Sequence, residues 1–185
     1  MTTYYGRTTS LAGTFAYLWR EQNDRPTLLA GGWIDDAALR ATGFDDPLSM
    51  LKAKIHRSIA VEDAPEIRSS AAIDDAVAAY SDGELEAIDT VATEQRSGPF
   101  VLAAWEQLRR VEPGHPQSYT ELAARAGRPE AIRAAAYACA NNAIALFVPC
   151  HRIRRTGGAL AGFRYGLDVK KLLLAHEERC ASSSR

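Results

Sequence analysis

The pattern of apolar residues changes near residue 96, and this change limits which folds the chain can adopt. Before that point lie three short runs with strand-like composition, TYYGRTTS, TFAYLWR and PTLLAGGW, separated by turn-forming residues. After it, apolar residues recur at helical spacing, most clearly in FVLAAWEQLRRV. We therefore predict an α+β protein with a small sheet in its first part and a mostly helical second part.

Charge divides the chain at the same place. Residues 1–96 hold 9 Lys and Arg against 16 Asp and Glu, whereas residues 97–185 hold 13 against 7. The net charge of -1 for the whole chain hides this asymmetry. Clustered positive charge is what a nucleic-acid surface requires, although chance clustering would also produce such a split. The sequence predicts an acidic N-terminal domain over 1–96 and a basic domain over 97–185.

The composition indicates a cytoplasmic protein with reduced thiols. No stretch approaches the ~20 apolar residues of a membrane span, and the N-terminus lacks the layout of a secretion signal. Cys139, Cys150 and Cys180 are odd in number and show no CxxC spacing. We therefore expect neither a disulfide framework nor a cysteine-rich zinc site, and no membrane partner.

Two short helices joined by a tight turn are predicted in the second half. Ser118 suits the N-cap of SYTELAARAG, with Glu121 as its capping-box partner, and Gly127 ends this helix. Pro129 suits the first position of the helix in PEAIRAAAYACANN. Such a pair is the signature of a helix-turn-helix motif, although many ordinary helix pairs share it.

The segment VPCHRI places a cysteine directly before a histidine. A free cysteine is only a few per cent thiolate near neutral pH, so a nucleophilic cysteine needs a base or a cation beside it. Neighbouring side chains of an extended strand point to opposite faces, but Pro149 favours an irregular backbone here. Two interpretations of Cys150 stay open, an activated nucleophile paired with His151 or a small buried hydrophobic residue.

Two further residues bear on this choice. Glu177, near the end of a helix that begins around Asp168, could orient the His151 imidazole as the third group of a triad. It could equally be a solvated charge at a helix end. Asn142 follows the alanine-rich helix closely enough to bond both the turn and the Cys150 segment, or it could only end the helix.

From SYTELAARAG through VPCHRI to KKLLLAHE, the chain closely resembles the catalytic domain of O6-alkylguanine-DNA alkyltransferases, also called methylated-DNA-protein-cysteine methyltransferases. It is most similar to the C-terminal domain of the bacterial adaptive-response type. The resemblance covers about Pro99 to Glu177. It implies a small α/β, ribonuclease H-like N-terminal sheet domain, followed by a mostly helical, winged helix-turn-helix-like C-terminal domain that binds DNA and accepts the alkyl group.

The resemblance also implies direct-reversal DNA repair. The O6-alkyl group of a flipped guanine, with O4-alkylthymine as a further candidate substrate, would pass irreversibly to Cys150, once per molecule. His151 would take the thiol proton through a water, Glu177 would hold the imidazole, and Asn142 would brace the turn and the thiol.

Roles in binding DNA follow from the same resemblance. Tyr119 would press on the phosphate 3′ to the target and help to rotate the base. Arg133 would fill the place that the base leaves. Further contacts to the DNA backbone would come from Thr120, Arg128 and Thr156.

A pocket for the flipped base is implied as well, lined by Tyr119, Cys139, Ile153, Phe163 and Arg164. The carbonyls of Cys150 and Ile153 would accept from the guanine amine, and the Arg164 N–H would donate to O6. Phe163 stands where the family usually has a tyrosine, and Cys139 where small or flexible residues are common.

The expected partner is double-stranded DNA carrying O6-alkylguanine, bound by a monomer without a cofactor. The first half has no cysteine and only His56, so we predict no structural zinc. Two alternatives remain. One is a non-catalytic helix-turn-helix DNA-binding or alkylation-sensing protein in which Cys150 only packs or signals. The other is a Cys-His-Glu hydrolase, which would leave Tyr119 and Arg133 without a role.

Overall fold

The computed structural model describes residues 2–35, 39, 43–56 and 58–183, which form a mixed sheet followed by helices. The strands of this sheet are β1 (Tyr4–Ser10), β2 (Gly13–Gln22), β3 (Arg25–Trp33), β4 (Glu66–Ile67) and β5 (Ala92–Thr93). Their spatial order is β4-β1-β2-β3-β5. The three long strands are antiparallel, whereas each short edge strand is parallel to its neighbour. The predicted α+β class is confirmed.

Local sequence explains the turns between the long strands. Asn23 and Asp24 form a two-residue loop between β2 and β3, and both have positive φ, 52° and 57°. Asparagine and aspartate tolerate this left-handed conformation, which matches the twist of a hairpin. At the start of β2, Gly13 has a φ of 106°, which favours glycine. The three runs predicted as strands therefore form two consecutive hairpins, β1–β2 and β2–β3.

The helices bounded within the described residues lie mostly in the second half. They are α1 (Pro47–Lys52), α2 (Ala71–Asp82), α3 (Pro99–Arg109), α4 (Tyr119–Arg125), α5 (Ile132–Ala140) and α6 (Leu167–Ser183). The second half also contains a parallel pair of two-residue strands, β6 (Gln117–Ser118) and β7 (Ile153–Arg154). Among the residues that the structure describes, no helix is long and apolar enough to cross a membrane.

Helices α4 and α5 form the predicted pair, with one correction. Ser118 accepts from the Glu121 N–H at 3.2 Å and the Glu121 carboxylate accepts from the Ser118 N–H at 2.6 Å, so the capping box is confirmed. The prediction that Pro129 opens the second helix is wrong. The Ala131 N–H donates to the Arg128 carbonyl, forming a separate turn. Proline is favoured at the second position of such a turn, and α5 therefore begins only at Ile132.

The two halves of the chain share one hydrophobic core. The Phe15 ring of β2 packs against Phe147, with 6.0 Å between ring centroids. Trp33 of β3 meets Tyr165 edge to face at 5.3 Å. Because aromatic residues from both halves interlock here, the sheet supports the segments that carry the candidate site.

Candidate active site

Cys150 begins a 3-10 turn, Cys150–Arg152, and does not lie in a strand. Pro149 precedes it with φ -80° and ψ 65°, and its carbonyl accepts from the Arg152 N–H at 3.0 Å. A 3-10 helix has about three residues per turn, so neighbouring side chains are about 120° apart. The thiol can therefore face a cavity while the adjacent His151 is fully buried.

The buried segment before the turn is attached to the sheet. Gly31 of β3 donates to the Ala143 carbonyl and accepts from the Ala145 N–H, both at 2.9 Å. These bonds form an isolated parallel bridge between Gly31 and Ile144. Strand β3 thus determines where the Cys150 turn begins.

Asn142 connects this segment to the thiol. Its Nδ2 donates to the Val148 carbonyl at 2.7 Å and lies 3.4 Å from Cys150 Sγ. Its Oδ1 accepts from the Ile144 N–H and from Gln95 Nε2, each at 3.1 Å. Gln95 lies just after β5, at the end of the first half, and carried no functional signal in the sequence. It holds the Asn142 amide in the orientation that points nitrogen at sulfur.

Glu177 accepts hydrogen bonds from three buried side chains. His151 Nε2 and Tyr80 Oη each lie 2.8 Å from its Oε1. Arg152 Nε lies 3.1 Å from both carboxylate oxygens, and Arg152 Nη1 donates to the Val111 carbonyl at 2.6 Å. The structure therefore brings His151 and Glu177 together, and it adds Arg152 and Tyr80, which the sequence did not single out.

Burial and neighbouring groups together determine the charge states of Cys150, His151 and Glu177. Burial raises the pKa of the Cys150 thiol, and the Asn142 hydrogen bond offsets only part of that rise. It lowers the pKa of His151 despite the opposing effect of Glu177. Near pH 7 the pair is therefore a neutral thiol and a neutral imidazole. Burial would raise the pKa of Glu177, but His151 and Arg152 outweigh it and lower this pKa to about 2.

The hydrogen bonds also indicate which imidazole nitrogen carries the proton. Nε2 of His151 faces the Glu177 carboxylate, which only accepts, so this nitrogen is the donor. Nδ1 is buried and has no hydrogen-bond partner among the described residues. Its lone pair is available to take a proton, directly or through a water. The arrangement suits a cysteine that becomes nucleophilic as its proton leaves.

Cys150 opens into a cavity of about 400 Å³. Of the predicted pocket residues, Tyr119, Cys139, Phe163 and Arg164 line this cavity, together with Lys54 and Tyr165. Ile153 does not line it. That side chain is fully buried, and the Ile153 carbonyl accepts from Lys170 Nζ at 2.6 Å. A larger cleft of about 870 Å³ lies beside Cys180, but its acidic walls contain none of the predicted site residues.

The residues predicted to contact DNA lie on the outer surface. Thr120, Arg128, Arg133 and Thr156 are all exposed. The Thr120 and Thr156 hydroxyls lie 3.3 Å apart, so α4 and the loop after β7 are adjacent. Tyr119 is half-buried at the first position of α4, and burial raises its pKa to about 12. Its ring therefore stands between this surface and the cavity.

Residues 99–179 match the model of a known family, described as 6-O-methylguanine DNA methyltransferase, DNA binding domain. This segment is therefore similar to that domain, as the sequence predicted. It contains every residue for which a site role was predicted.

Named relatives agree with this assignment. The methylated-DNA–protein-cysteine methyltransferase of Salmonella typhimurium is 40% identical over 105 residues, which are 57% of this chain and 61% of that protein. The bifunctional transcriptional activator/DNA repair enzyme Ada of Escherichia coli is 41% identical over 88 residues, 48% of this chain and 25% of Ada. The chain thus matches less than two thirds of the length of either relative.

The similarity of fold extends beyond the segment that matches the family model. The crystal structure of Mycobacterium tuberculosis O6-methylguanine methyltransferase has a TM-score of 0.71 at 24% identity and covers 96% of this chain and 94% of that one. The M. tuberculosis OGT solved in complex with DNA has a TM-score of 0.70 at the same identity, with 96% and 94% covered. Both show the shared fold. Tyr80, Gln95 and Lys54, which reach the site, lie outside the segment that matches the family model.

Proposed function

We propose that this protein repairs DNA directly, by transferring the alkyl group of O6-alkylguanine to Cys150. One observation carries the proposal. Cys150 faces a cavity, with the Asn142 amide 3.4 Å from its sulfur and a His151–Glu177 pair buried behind it. The name of the matching domain family and the names of the relatives support the same activity.

In the proposed reaction, His151 takes the Cys150 proton through a water as the sulfur attacks the alkyl carbon. The S–C bond forms, the C–O6 bond breaks, and its electron pair stays on guanine, which takes up one proton. Glu177 stabilises the imidazolium that forms. The thioether on Cys150 is not reversed by thiol exchange, so each molecule acts once. No step requires a metal or a diffusible cofactor.

The target carbon cannot be reached inside a duplex, so the base must leave the stack at a cost of a few kcal/mol. We assign Tyr119 to turn the base toward the cavity and Arg133, exposed near the start of α5, to fill the gap. Thr120, Arg128 and Thr156 would contact the backbone. We further propose that the second half forms a winged helix-turn-helix-like domain, with α4 and α5 as its helix pair. The first half would form a ribonuclease H-like domain. The M. tuberculosis OGT, which shares this fold, has been solved in complex with DNA, which supports DNA as the partner.

Within the pocket, the Arg164 N–H would donate to O6, and the Cys150 carbonyl would accept from the guanine amine. Donors at O6 matter because negative charge develops there as the bond breaks. Ile153 does not line the cavity and its carbonyl accepts from Lys170, so we assign it no contact to the base.

The test is a transfer assay with duplex DNA containing radiolabelled O6-methylguanine. We expect at most one equivalent of label per protein, found on Cys150 by peptide mapping. Cys150→Ser should abolish transfer while retaining DNA affinity, and Cys180→Ser, away from the cavity, should transfer normally. Saturable binding without transfer would favour a non-catalytic DNA-binding protein. A native mass measurement would test the monomer that we propose.

The role of Arg133 can be tested separately. Arg133→Ala should slow transfer from duplex DNA but leave Cys150 reactive toward free O6-benzylguanine, which needs no flipping. Arg125→Ala is the control, because Arg125 is also exposed but has no assigned contact to DNA. Equal slowing with both substrates would show that Arg133 is not a wedge.

A further inference from the structure

Two cationic side chains from different halves of the chain lie in the wall of the Cys150 cavity. Lys54, just after α1, donates from Nζ to Asn141 Oδ1 at 3.3 Å. Arg164 donates from Nη2 to the Met50 carbonyl at 3.3 Å, and its guanidinium lies 5.7 Å from the centre of the Phe44 ring. Both side chains are half-buried.

Neither cation is neutralised by the residues that the structure describes. No carboxylate of the ranges 2–35, 43–56 and 58–183 lies within 4.0 Å of either group. Lysine has three N–H donors and arginine five, so donors remain available on both. Burial and the nearby Arg164 lower the pKa of Lys54, since two like charges share a partly desolvated site. An anion placed between them would relieve that repulsion.

The position of the pair argues for a ligand inside the cavity. The arginines assigned to DNA, Arg128 for the backbone and Arg133 for the gap left by the base, are exposed and do not line the cavity. Lys54 and Arg164 do line it. O6-methylguanine is neutral and would leave both cations without a counter-ion. A negatively charged adduct on the same base would supply one.

We propose that Lys54 and Arg164 make this cavity selective for O6-alkylguanines whose alkyl group bears a carboxylate, such as O6-carboxymethylguanine. The inference rests on the proposed alkyl transfer. The sulfur of Cys150 would attack the methylene carbon, forming the S–C bond as the C–O6 bond breaks. The electron pair would stay on guanine, which gains a proton as Cys150 gives its own to His151. The product would be S-carboxymethylcysteine, with its carboxylate between the two cations.

The test compares single-turnover rate constants for two duplexes that differ only in carrying O6-carboxymethylguanine or O6-methylguanine. Lys54→Gln should lower the carboxymethyl-to-methyl ratio about tenfold, the size expected for one charge-assisted hydrogen bond. Lys54→Arg should preserve the ratio. Lys52→Gln is the matched control, because Lys52 pairs with Asp63 outside the cavity. Thermal melts would verify that each variant folds.

An unchanged ratio in Lys54→Gln would overturn the inference. If both duplexes then reacted equally slowly while the free modified bases reacted normally, the cations would be contacts to DNA phosphate. Failure of the proposed function looks different. In that case the wild-type protein would transfer neither group to Cys150.

Discussion

At the scale of single residues, Glu177 is the point on which the candidate site depends. It receives donors from the Cys150–Arg152 turn, through His151 and Arg152, and from helix α2, through Tyr80. A carboxylate with this many donors stays ionised although it is buried. Removing one donor or the charge should therefore change both stability and the basicity of His151.

Acid should destabilise the protein partly through Glu177. Its pKa of about 2 in the folded state is below the ordinary value of 4.5, so its ionised form stabilises the fold above about pH 4.5. That contribution is lost as the pH falls from 4.5 toward 2. We expect Glu177→Gln to be less stable at pH 7 by about 3 kcal/mol and to lose less stability on acidification. Urea denaturation at pH 7 and at steps down toward pH 2 measures both, with the exposed Glu178→Gln as control.

The Tyr80 hydroxyl should tune the imidazole through Glu177. Without this donor, more of the negative charge of the Glu177 carboxylate acts on His151, so the pKa of His151 rises. The imidazole then becomes protonated at a higher pH than in the wild type. We expect the acid limb of the pH–rate profile for transfer to move upward in Tyr80→Phe, with little change at pH 8. Tyr17→Phe removes another hydroxyl, one bonded to Asp74, and should not move the limb. A rate loss equal at every pH would make Tyr80 merely structural.

At the scale of elements, the capping box of α4 controls where Tyr119 stands. Ser118 and Glu121 close the first turn reciprocally, and Tyr119 is the first residue inside it. Helix α5 is fixed on the other side, where Trp105 of α3 donates to the Ala138 carbonyl at 2.9 Å. The helix pair is thus held at both ends by specific hydrogen bonds.

Ser118→Ala should lower the free energy of unfolding by about 1 kcal/mol, because it leaves one N–H of the first turn without its cap. It should also slow transfer from duplex DNA, since Tyr119 loses its fixed position. Urea denaturation and the transfer assay measure the two effects. Ser70→Ala is the matched control, because Ser70 is the N-cap of α2 but makes no cap hydrogen bond with its side chain. An equal fall in the free energy of unfolding in Ser118→Ala and Ser70→Ala would show that the capping hydrogen bond itself is unimportant.

At the scale of the whole molecule, the sheet is part of the site. Gly31 holds the segment before Cys150, Tyr80 contacts Glu177, and Gln95 orients Asn142. The Tyr165 hydroxyl also donates to the Gly31 carbonyl, at 3.3 Å. The second half therefore depends on the first for its geometry, although the predicted roles in catalysis all fall in the second.

Gly32→Ala should disturb this contact between the halves. A Cβ at Gly32 would lie 2.1 Å from Tyr165 Oη and 2.3 Å from Cζ, so the ring would have to move. We expect the free energy of unfolding to fall by about 1 to 3 kcal/mol and alkyl transfer to slow. Tyr165→Leu in the same chain should recover part of the stability. Gly98→Ala, where a Cβ meets nothing within 4 Å, should be close to neutral. A neutral Gly32→Ala would contradict the packing described above.

The sequence by itself determined the features that depend on neighbouring residues. Strand composition with turn residues predicted the three strands of a small sheet, and a serine three residues before a glutamate predicted the capping box, because these signals act within a few residues. Pro129 was misassigned since proline suits both a helix start and a turn. For Cys150, His151, Glu177 and Asn142 the residues themselves left a functional and a structural interpretation open. The resemblance implied their roles, which stay predictions.

Only the tertiary structure decided what meets across the chain. Tyr80 lies 97 residues from Glu177, Gln95 lies 47 from Asn142, and Lys54 lies 87 from the asparagine it contacts. No local pattern marks such residues, because their contacts arise when the sheet and the helices pack into one core. Burial likewise set the pKa values of Cys150 and His151, since the desolvation of a side chain depends on everything packed around it.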